Sequence, residues 1–213
     1  MRHFWRHGYA ATSVRDLGGV MGIGPASLYN AFGDKRSLFL QCLDRYLEAN
    51  TRERTARLEA TRPPRAAVEE FVQEVAGHSL RDGRGCLLVN SALEVAPHDA
   101  ELRAAISRRL GELEAFLRGR LAAGQRDGSI AATHAPDDLA RLLLAAVLGL
   151  RVLARSRPDR ALVEGAVRQA LALLDVPTPP AKALPPRRRV SPPPSASGSG
   201  GRARSVRAPS RRG

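Results

Sequence analysis

Residues 11–35 read ATSVRDLGGVMGIGPASLYNAFGDK, and the fold follows from how this stretch is parsed. Thr12 and Ser13 offer hydroxyl N-caps, and Ser13-Val14-Arg15-Asp16 fits a capping box with Asp at the third helical position. Val14, Leu17 and Met21, with Val20 beside it, recur at helical spacing and predict an amphipathic helix. Gly22-Ile23-Gly24 interrupts that pattern. Gly22 suits a left-handed C-cap, and Ile23 is placed to tuck into the angle between two helices. Pro25 belongs in the first turn of a second helix that runs to Phe32. Leu28 and Phe32 then face inward, and Ser27, Tyr29, Asn30 and Ala31 are left on the other sides. Two short helices crossing steeply around a tight turn form a helix-turn-helix, whose second helix has the size of the DNA major groove.

Working outward, the residues before this motif hold little helix. Phe4 and Trp5 precede Gly8-Tyr9, and about two turns are less than is stable without tertiary support. We therefore expect the native start to lie upstream of Met1, an under-packed domain being the alternative. His3 and His7 stand one turn apart with no third ligand, so they read as surface residues and no metal is expected.

Downstream, Lys35 to about Leu58 predicts a long helix with an apolar stripe of Leu38, Phe39, Cys42, Leu43, Tyr46 and Leu47. Pro63-Pro64 ends it. Further helices are predicted over 65–80, over 86–96 to the stop at Pro97, and from an Asp99 cap to Asp127-Gly128. In the last of these, Leu102, Ile106, Leu110, Leu113, Leu117 and Leu121 form one stripe. Pro136 opens a helix to Arg155, and Asp159 caps another to Leu174. No stretch reads as a strand, so the predicted class is all-α. The expected organisation is a helix-turn-helix DNA-binding domain at 1–47, a helical-bundle effector and dimerisation domain at 48–175, and a disordered Pro/Arg/Ser/Gly-rich tail at 176–213.

The net charge of +13 is mostly a property of that tail: residues 176–213 carry nine basic side chains and no acidic one, leaving +4 on residues 1–175. The tail is either a non-specific phosphate contact or a solvated extension. Two cysteines do not make a disulfide framework, and the most apolar segment, 139–154, carries Arg141 and Arg151 and is too short for a membrane span. A soluble, cytoplasmic protein with no membrane contact is expected. No metalloprotease, nucleophile-elbow or phosphate-loop pattern occurs, so neither an enzyme nor a cofactor is expected.

Gly8-Tyr9, Thr12-Ser13-Val14, Gly22-Ile23, Leu28-Tyr29, Phe32 and Lys35-Arg36-Ser37-Leu38-Phe39 together resemble the DNA-binding signature of the TetR/AcrR transcriptional regulators, over roughly the first 47 residues. Two positions depart from it. Gly24 stands where a Ser N-cap is common, which weakens that helix by up to about 1 kcal/mol, and Ala31 stands where a His is common. By residue chemistry, Thr12 and Ser13 would give hydroxyls to a phosphate with Arg15 as nearby charge. Pro25, Ala26, Ser27, Tyr29 and Asn30 would enter the groove, where Asn30 suits adenine and Ala26 a thymine methyl. The resemblance implies that Tyr29 and Lys35 contact the DNA backbone; Tyr29 packed on the next helix is the alternative.

The resemblance also implies a double-stranded operator as partner and a helical pocket for an unknown small-molecule effector, whose binding re-angles the long linking helix. Val75, His78, Asn90, Glu94 and Phe116 are the candidates for that pocket. Asn90 and Glu94 lie one turn apart in an apolar helix and either point into a cavity or cap neighbouring backbone. Cys86 is either a thiol sensor or a small core residue. The last two helices, 137–155 and 159–174, are apolar over more than one stripe, which suits a homodimer interface as the resemblance implies, the monomer core, or both. The expected function is a ligand-responsive repressor that binds a palindromic operator as a dimer. A thiol-based redox regulator using Cys86 and a non-specific binder driven by the Arg-rich tail are the alternatives.

Overall fold

The structure, a computed structural model, describes residues 1–176; the tail expected to be disordered lies, from residue 177 onward, outside the described residues. The element order is α1 (Arg2–His7), α2 (Val14–Met21), α3 (Pro25–Phe32), α4 (Lys35–Leu47), α5 (Glu53–Thr61), α6 (Pro64–Arg81), α7 (Leu87–Glu94), α8 (Ala100–Arg126), α9 (Pro136–Ser156) and α10 (Arg160–Ala172). No strand occurs among the described residues, and the class is all-α.

Local chemistry sets most of these boundaries. Asp34 accepts from the Ser37 N–H at 2.6 Å to start α4, Asp99 accepts from the Glu101 and Leu102 N–H groups at 3.0 Å to start α8, and Asp159 accepts from the Leu162 N–H at 3.2 Å to start α10. Prolines open α3, α6 and α9, where a missing N–H costs nothing. The long linking helix departs from expectation in one place. Between α4 and α5 it widens into a π-helical turn over Glu48–Arg52. There the Asn50 amide donates to the Tyr46 carbonyl at 2.8 Å and competes with the backbone for it, so the ladder slips by one residue.

Two hydrophobic clusters fill the described residues. The larger joins α6 (Val68, Phe71, Val72, Val75), α8 (Leu113, Phe116, Leu117, Leu121), α9 (Leu139, Leu143, Val147, Leu150) and α10 (Val163, Val167). The other belongs to the N-terminal head, yet it is not closed by the head alone: Phe4, Trp5, Leu17, Leu28, Phe39, Leu43 and Tyr46 share it with Leu87 and Leu88 of α7 and Leu102 and Ile106 of α8. That sharing gives the opening helix its tertiary support. Phe4 meets Phe39 edge-on at 5.2 Å and Trp5 meets Tyr46 edge-on at 5.0 Å. Each buried side chain contributes about 1.5–3 kcal/mol, which supports two turns that no isolated peptide would hold.

Polar contacts reinforce the seat. The Glu94 carboxylate, at the end of α7, accepts from the Tyr9 N–H at 3.1 Å and the Ala10 N–H at 2.8 Å. It lies so close beneath Gly8 that a Cβ there would sit 2.8 Å from its oxygens. Trp5 Nε1 donates to the Gly85 carbonyl at 3.2 Å, and Arg36 pairs with Asp99 and Glu101 at the start of α8. Farther along, Arg52 grips Glu112 of α8 with two 3.0 Å bonds, and buried Arg109 donates to Asp44 at 3.0 and 2.6 Å. Fork-to-carboxylate geometry of this kind fixes orientation as well as adding energy.

The turn between α2 and α3 depends on two glycines. Gly22 takes a left-handed φ of 68°, and the Ile23 N–H donates back to the Gly18 carbonyl at 3.0 Å, the closing bond of a Schellman motif. Gly18 is required for a different reason: a Cβ on it would lie 2.7 Å from the Ile23 carbonyl oxygen. Gly19 meets nothing within 4 Å. In urea denaturation, Gly18→Ala is expected to lower the midpoint, whereas Gly19→Ala is expected to raise stability by about 0.5–1 kcal/mol, the ordinary gain in a helix interior. Removing Glu94 tests the seat of the head. In Glu94→Ala, hydrogen exchange at the Tyr9 and Ala10 amides should accelerate while α6 and α9 amides keep their protection, with a stability loss of about 1 kcal/mol or somewhat more.

Candidate nucleic-acid interface

The reading head is assembled from the cap inward. Ser13 is extended at φ −89°, and its cap is reciprocal: the Asp16 N–H donates to Ser13 Oγ at 3.1 Å and the Ser13 N–H donates to Asp16 Oδ2 at 2.9 Å. The Ser13 hydroxyl also donates to Asp16 Oδ2 at 2.6 Å, and these bonds from Ser13 hold the Asp16 carboxyl below its usual range. With the turn fixed behind it, α3 is anchored by Leu28, which is fully buried. Gly24 caps α3 with no side-chain bond, so the start of the helix relies on Pro25.

The structure distributes the sequence-derived residues unevenly. Pro25, Ala26, Ser27, Tyr29 and Asn30 are all exposed on α3, and Tyr29 is 49% exposed rather than packed on the next helix. Ser13 and Arg15 are exposed on α2. Thr12 is corrected: it is fully buried, and its hydroxyl donates to the Gly8 carbonyl at 2.6 Å, so it ties the α1–α2 turn together and offers nothing at the surface. Lys35 is half-buried, with its ammonium 4.3 Å above the Tyr9 ring, and burial lowers its pKa. Its charge is thus engaged by the head itself in this conformation. Burial likewise raises the pKa of the Tyr9 phenol.

The five candidates for an effector pocket are not brought together. Val75 and Phe116 lie in the larger core, where the Phe116 ring is tilted against that of Phe71 at 5.4 Å. His78 is half-buried on α6; its Nε2 has no hydrogen-bond partner and lies 3.9 Å from Asp82, too far for one. Asn90 donates to the Arg84 carbonyl at 3.3 Å and accepts from Arg155 at 2.8 Å. Glu94 caps the backbone of residues 9 and 10 and, with Asn90, also lines a cavity of about 380 Å³ beside α1, so both roles open to it from sequence are met. Cys86 is buried, its sulfur 3.5 Å from the Tyr46 hydroxyl.

Sequence reasoning missed three residues that position this head. Gly18 was legible as the first of a Gly-Gly pair, but which of the pair needs to be glycine depends on the return of the chain at Ile23. Arg36 lies inside the resemblance yet points at α8 rather than outward. Trp5, under the Arg84 guanidinium at 4.0 Å, carries no sequence signal beyond its size.

Comparison with known proteins gives the same picture. The family described as bacterial regulatory proteins, tetR family, matches residues 1–42, and that described as tetracyclin repressor-like, C-terminal domain, matches residues 64–170. The HTH-type transcriptional regulator YezE of Bacillus subtilis (strain 168) is 36% identical over 179 residues, spanning 81% of this chain and 90% of its own. The HTH-type transcriptional repressor ComR of Escherichia coli (strain K12) is 28% identical over 158 residues, spanning 73% and 75%. Among solved structures, a cysteine mutant of the TetR family regulator CifR complexed with 26-bp double-strand operator DNA superposes with a TM-score of 0.71 at 33% identity, covering 81% of this chain and 91% of that one. The capped and glycine-turned head, the helical body and these similarities agree, and the chain belongs to the TetR family of bacterial transcriptional regulators, DNA-binding proteins rather than enzymes.

Proposed function

We propose that this protein is a repressor that binds a palindromic operator as a homodimer and leaves it when a small-molecule effector binds the helical body. The observation that carries the DNA-reading part is the side of α3 turned to solvent, where Ala26, Ser27, Tyr29 and Asn30 are all exposed above a single buried anchor, Leu28. Asn30 matches the two-point pattern of adenine, and Ala26 the methyl of thymine. Two such heads related by two-fold symmetry would enter successive major grooves about 34 Å apart.

Support for the dimer comes from the outer faces of α9 and α10. Leu142 is 49% exposed, Leu153 38% and Leu173 36%, and Leu142 and Leu173 line one apolar recess. A self-complementary partner would cover that surface. No helix among the described residues is long and apolar enough to cross a membrane, which suits a regulator acting on DNA in the cytoplasm. The burial of Cys86 favours a packing role over thiol chemistry.

The effector would act through α7. This helix holds the head by Glu94 and shares the head's core through Leu87 and Leu88, so a shift of α7 changes how the head sits. Differential binding to the two arrangements is what would shift the population.

A gel shift of the full chain against the DNA flanking its own gene, with random DNA as competitor, tests this reading. Specific retention is expected, and equal binding to every fragment would overturn it. Asn30→Ala is expected to cost about 1–3 kcal/mol of operator affinity, and Tyr29→Ala should also weaken binding, while light scattering reports an intact dimer in both. Leu142→Glu should instead yield monomers at micromolar concentration and weaken operator binding with them.

A further inference from the structure

Two charged side chains are buried in the body, and they are treated very differently. Arg109, 9% exposed, has the Asp44 carboxylate and, at 2.7 Å, the Ala105 carbonyl. Arg151 on α9, 8% exposed, has neither an ion-pair nor a hydrogen-bond partner among the described residues. Residues 177–213 contain no Asp or Glu, so no side-chain carboxylate can come from there. The Arg151 nitrogens are not among the fully buried, unpartnered side-chain atoms of the described residues, which are His78 Nε2 and Arg120 Nε, so the charge stands unpaired at the edge of a cleft rather than sealed from solvent.

Its neighbours add to the positive character. Arg151 raises the potential felt by Tyr46 on α4, Arg54 on α5 and His78 on α6. Arg54 is answered by Glu74 at 3.0 Å, but the His78 Nε2 is buried without a partner. Burial first, and then the charge of Arg151, lower the His78 pKa.

Arg151 also lines a cleft of about 240 Å³ between α7 and α9. Cys86 and Val89 form its inner part, and Leu93 and Val152 form apolar walls that stand 69% and 44% exposed. Arg155 and Asn90, bonded to each other at 2.8 Å, and Ser156 complete the lining. No carboxylate lines it. The cleft is smaller than the ~300–1,000 Å³ typical of sites for drug-sized ligands.

We propose that the cleft between α7 and α9 binds a small organic carboxylate, with Arg151 holding the anionic group and Val89, Leu93 and Val152 holding the apolar body. The effector role of this ligand rests on the ligand-responsive reading above; the binding itself does not. The planar guanidinium fork matches both carboxylate oxygens and is the group suited to a partly desolvated anion. The apolar walls exclude purely inorganic anions as the best fit. Val89 and Leu93 lie on the helix that ends in Glu94, so a ligand pressed against them bears on the element that seats the head.

The test is calorimetric titration of the full chain with hexanoate and benzoate, and with hexanol and hexylamine as uncharged and cationic controls. The carboxylates should bind and the controls should not. Arg151→Met should weaken carboxylate binding at least tenfold while its ligand-free melting temperature stays close to that of the wild type, because no hydrogen bond or ion pair among the described residues is lost. Val152→Trp, at an exposed position that leaves the core intact, should also block binding by filling the cleft. Equal binding of hexanol and hexanoate, or full carboxylate affinity in both variants, would overturn the proposal. So would a fall of the Arg151→Met dimer to monomer with no carboxylate binding by the wild type, which would assign Arg151 to a partner subunit. The titration contains no DNA: carboxylate binding through Arg151 that leaves operator retention unchanged keeps the site and removes its effector role, and failure of operator binding leaves the titration unaffected.

Discussion

The head of this protein is held in place by a carboxylate that belongs to the body. Glu94 ends α7 and accepts from two consecutive backbone N–H groups just beyond α1, beside Gly8, whose left-handed φ of 85° favours glycine. Around this contact the apolar surfaces of Phe4, Trp5, Leu87 and Leu88 close a single core. The consequence is that the helix-turn-helix is not an independent bead on a linker. Its orientation is a function of where α7 sits, and α7 in turn is bounded by the loop at 82–86 and by the one-turn stop before Asp99.

A second line of communication runs along the linking helix. The π-helical turn at Glu48–Arg52 places Arg52 against Glu112, and the turn before it places Asp44 against Arg109. Together with Arg36 on Asp99 and Glu101, α8 is gripped by guanidinium–carboxylate pairs at three levels along the linking helix and the start of α4. Pairs that are more than a third exposed contribute little stability individually. Their value here is geometric: the Arg52–Glu112 fork meets both carboxylate oxygens and defines an angle between helices, and Arg109 on one Asp44 oxygen and Arg36 divided between Asp99 and Glu101 resist sliding. Widened π turns recur at functional positions for a related reason: they are places where a helix can shorten or lengthen its register at modest cost.

Much of the body was legible from sequence because its signals are periodic or local. The leucine stripe from Leu102 to Leu121 needs only the helical repeat to be read, and Asp99 and Asp159 cap the helices they precede because an N-cap is a contact within three residues. The capping box at Ser13 and Asp16 and the left-handed Gly22 are equally local. Thr12 was misread for the opposite reason. Its hydroxyl competes between solvent and a carbonyl four residues earlier, and only the course of the chain at Gly8 makes that carbonyl available. For Lys35 the resemblance implied a backbone contact, and the Tyr9 ring beneath its ammonium, 26 residues away in sequence, leaves no mark in its sequence neighbourhood.

By itself, then, the sequence determined the all-α class, the helix-turn-helix and the solvent-facing set on α3, because helix periodicity, caps and turn glycines act over a few residues. Tertiary structure alone decided that Glu94 seats the head, that the head's core is completed by α7 and α8, and that Arg151 is without an anion while Arg109 has one. Those outcomes depend on contacts between residues many tens of positions apart. A carboxylate or a guanidinium carries the same local signature whether its partner is water, a distant backbone or nothing at all; only the packing of the helices chooses among them.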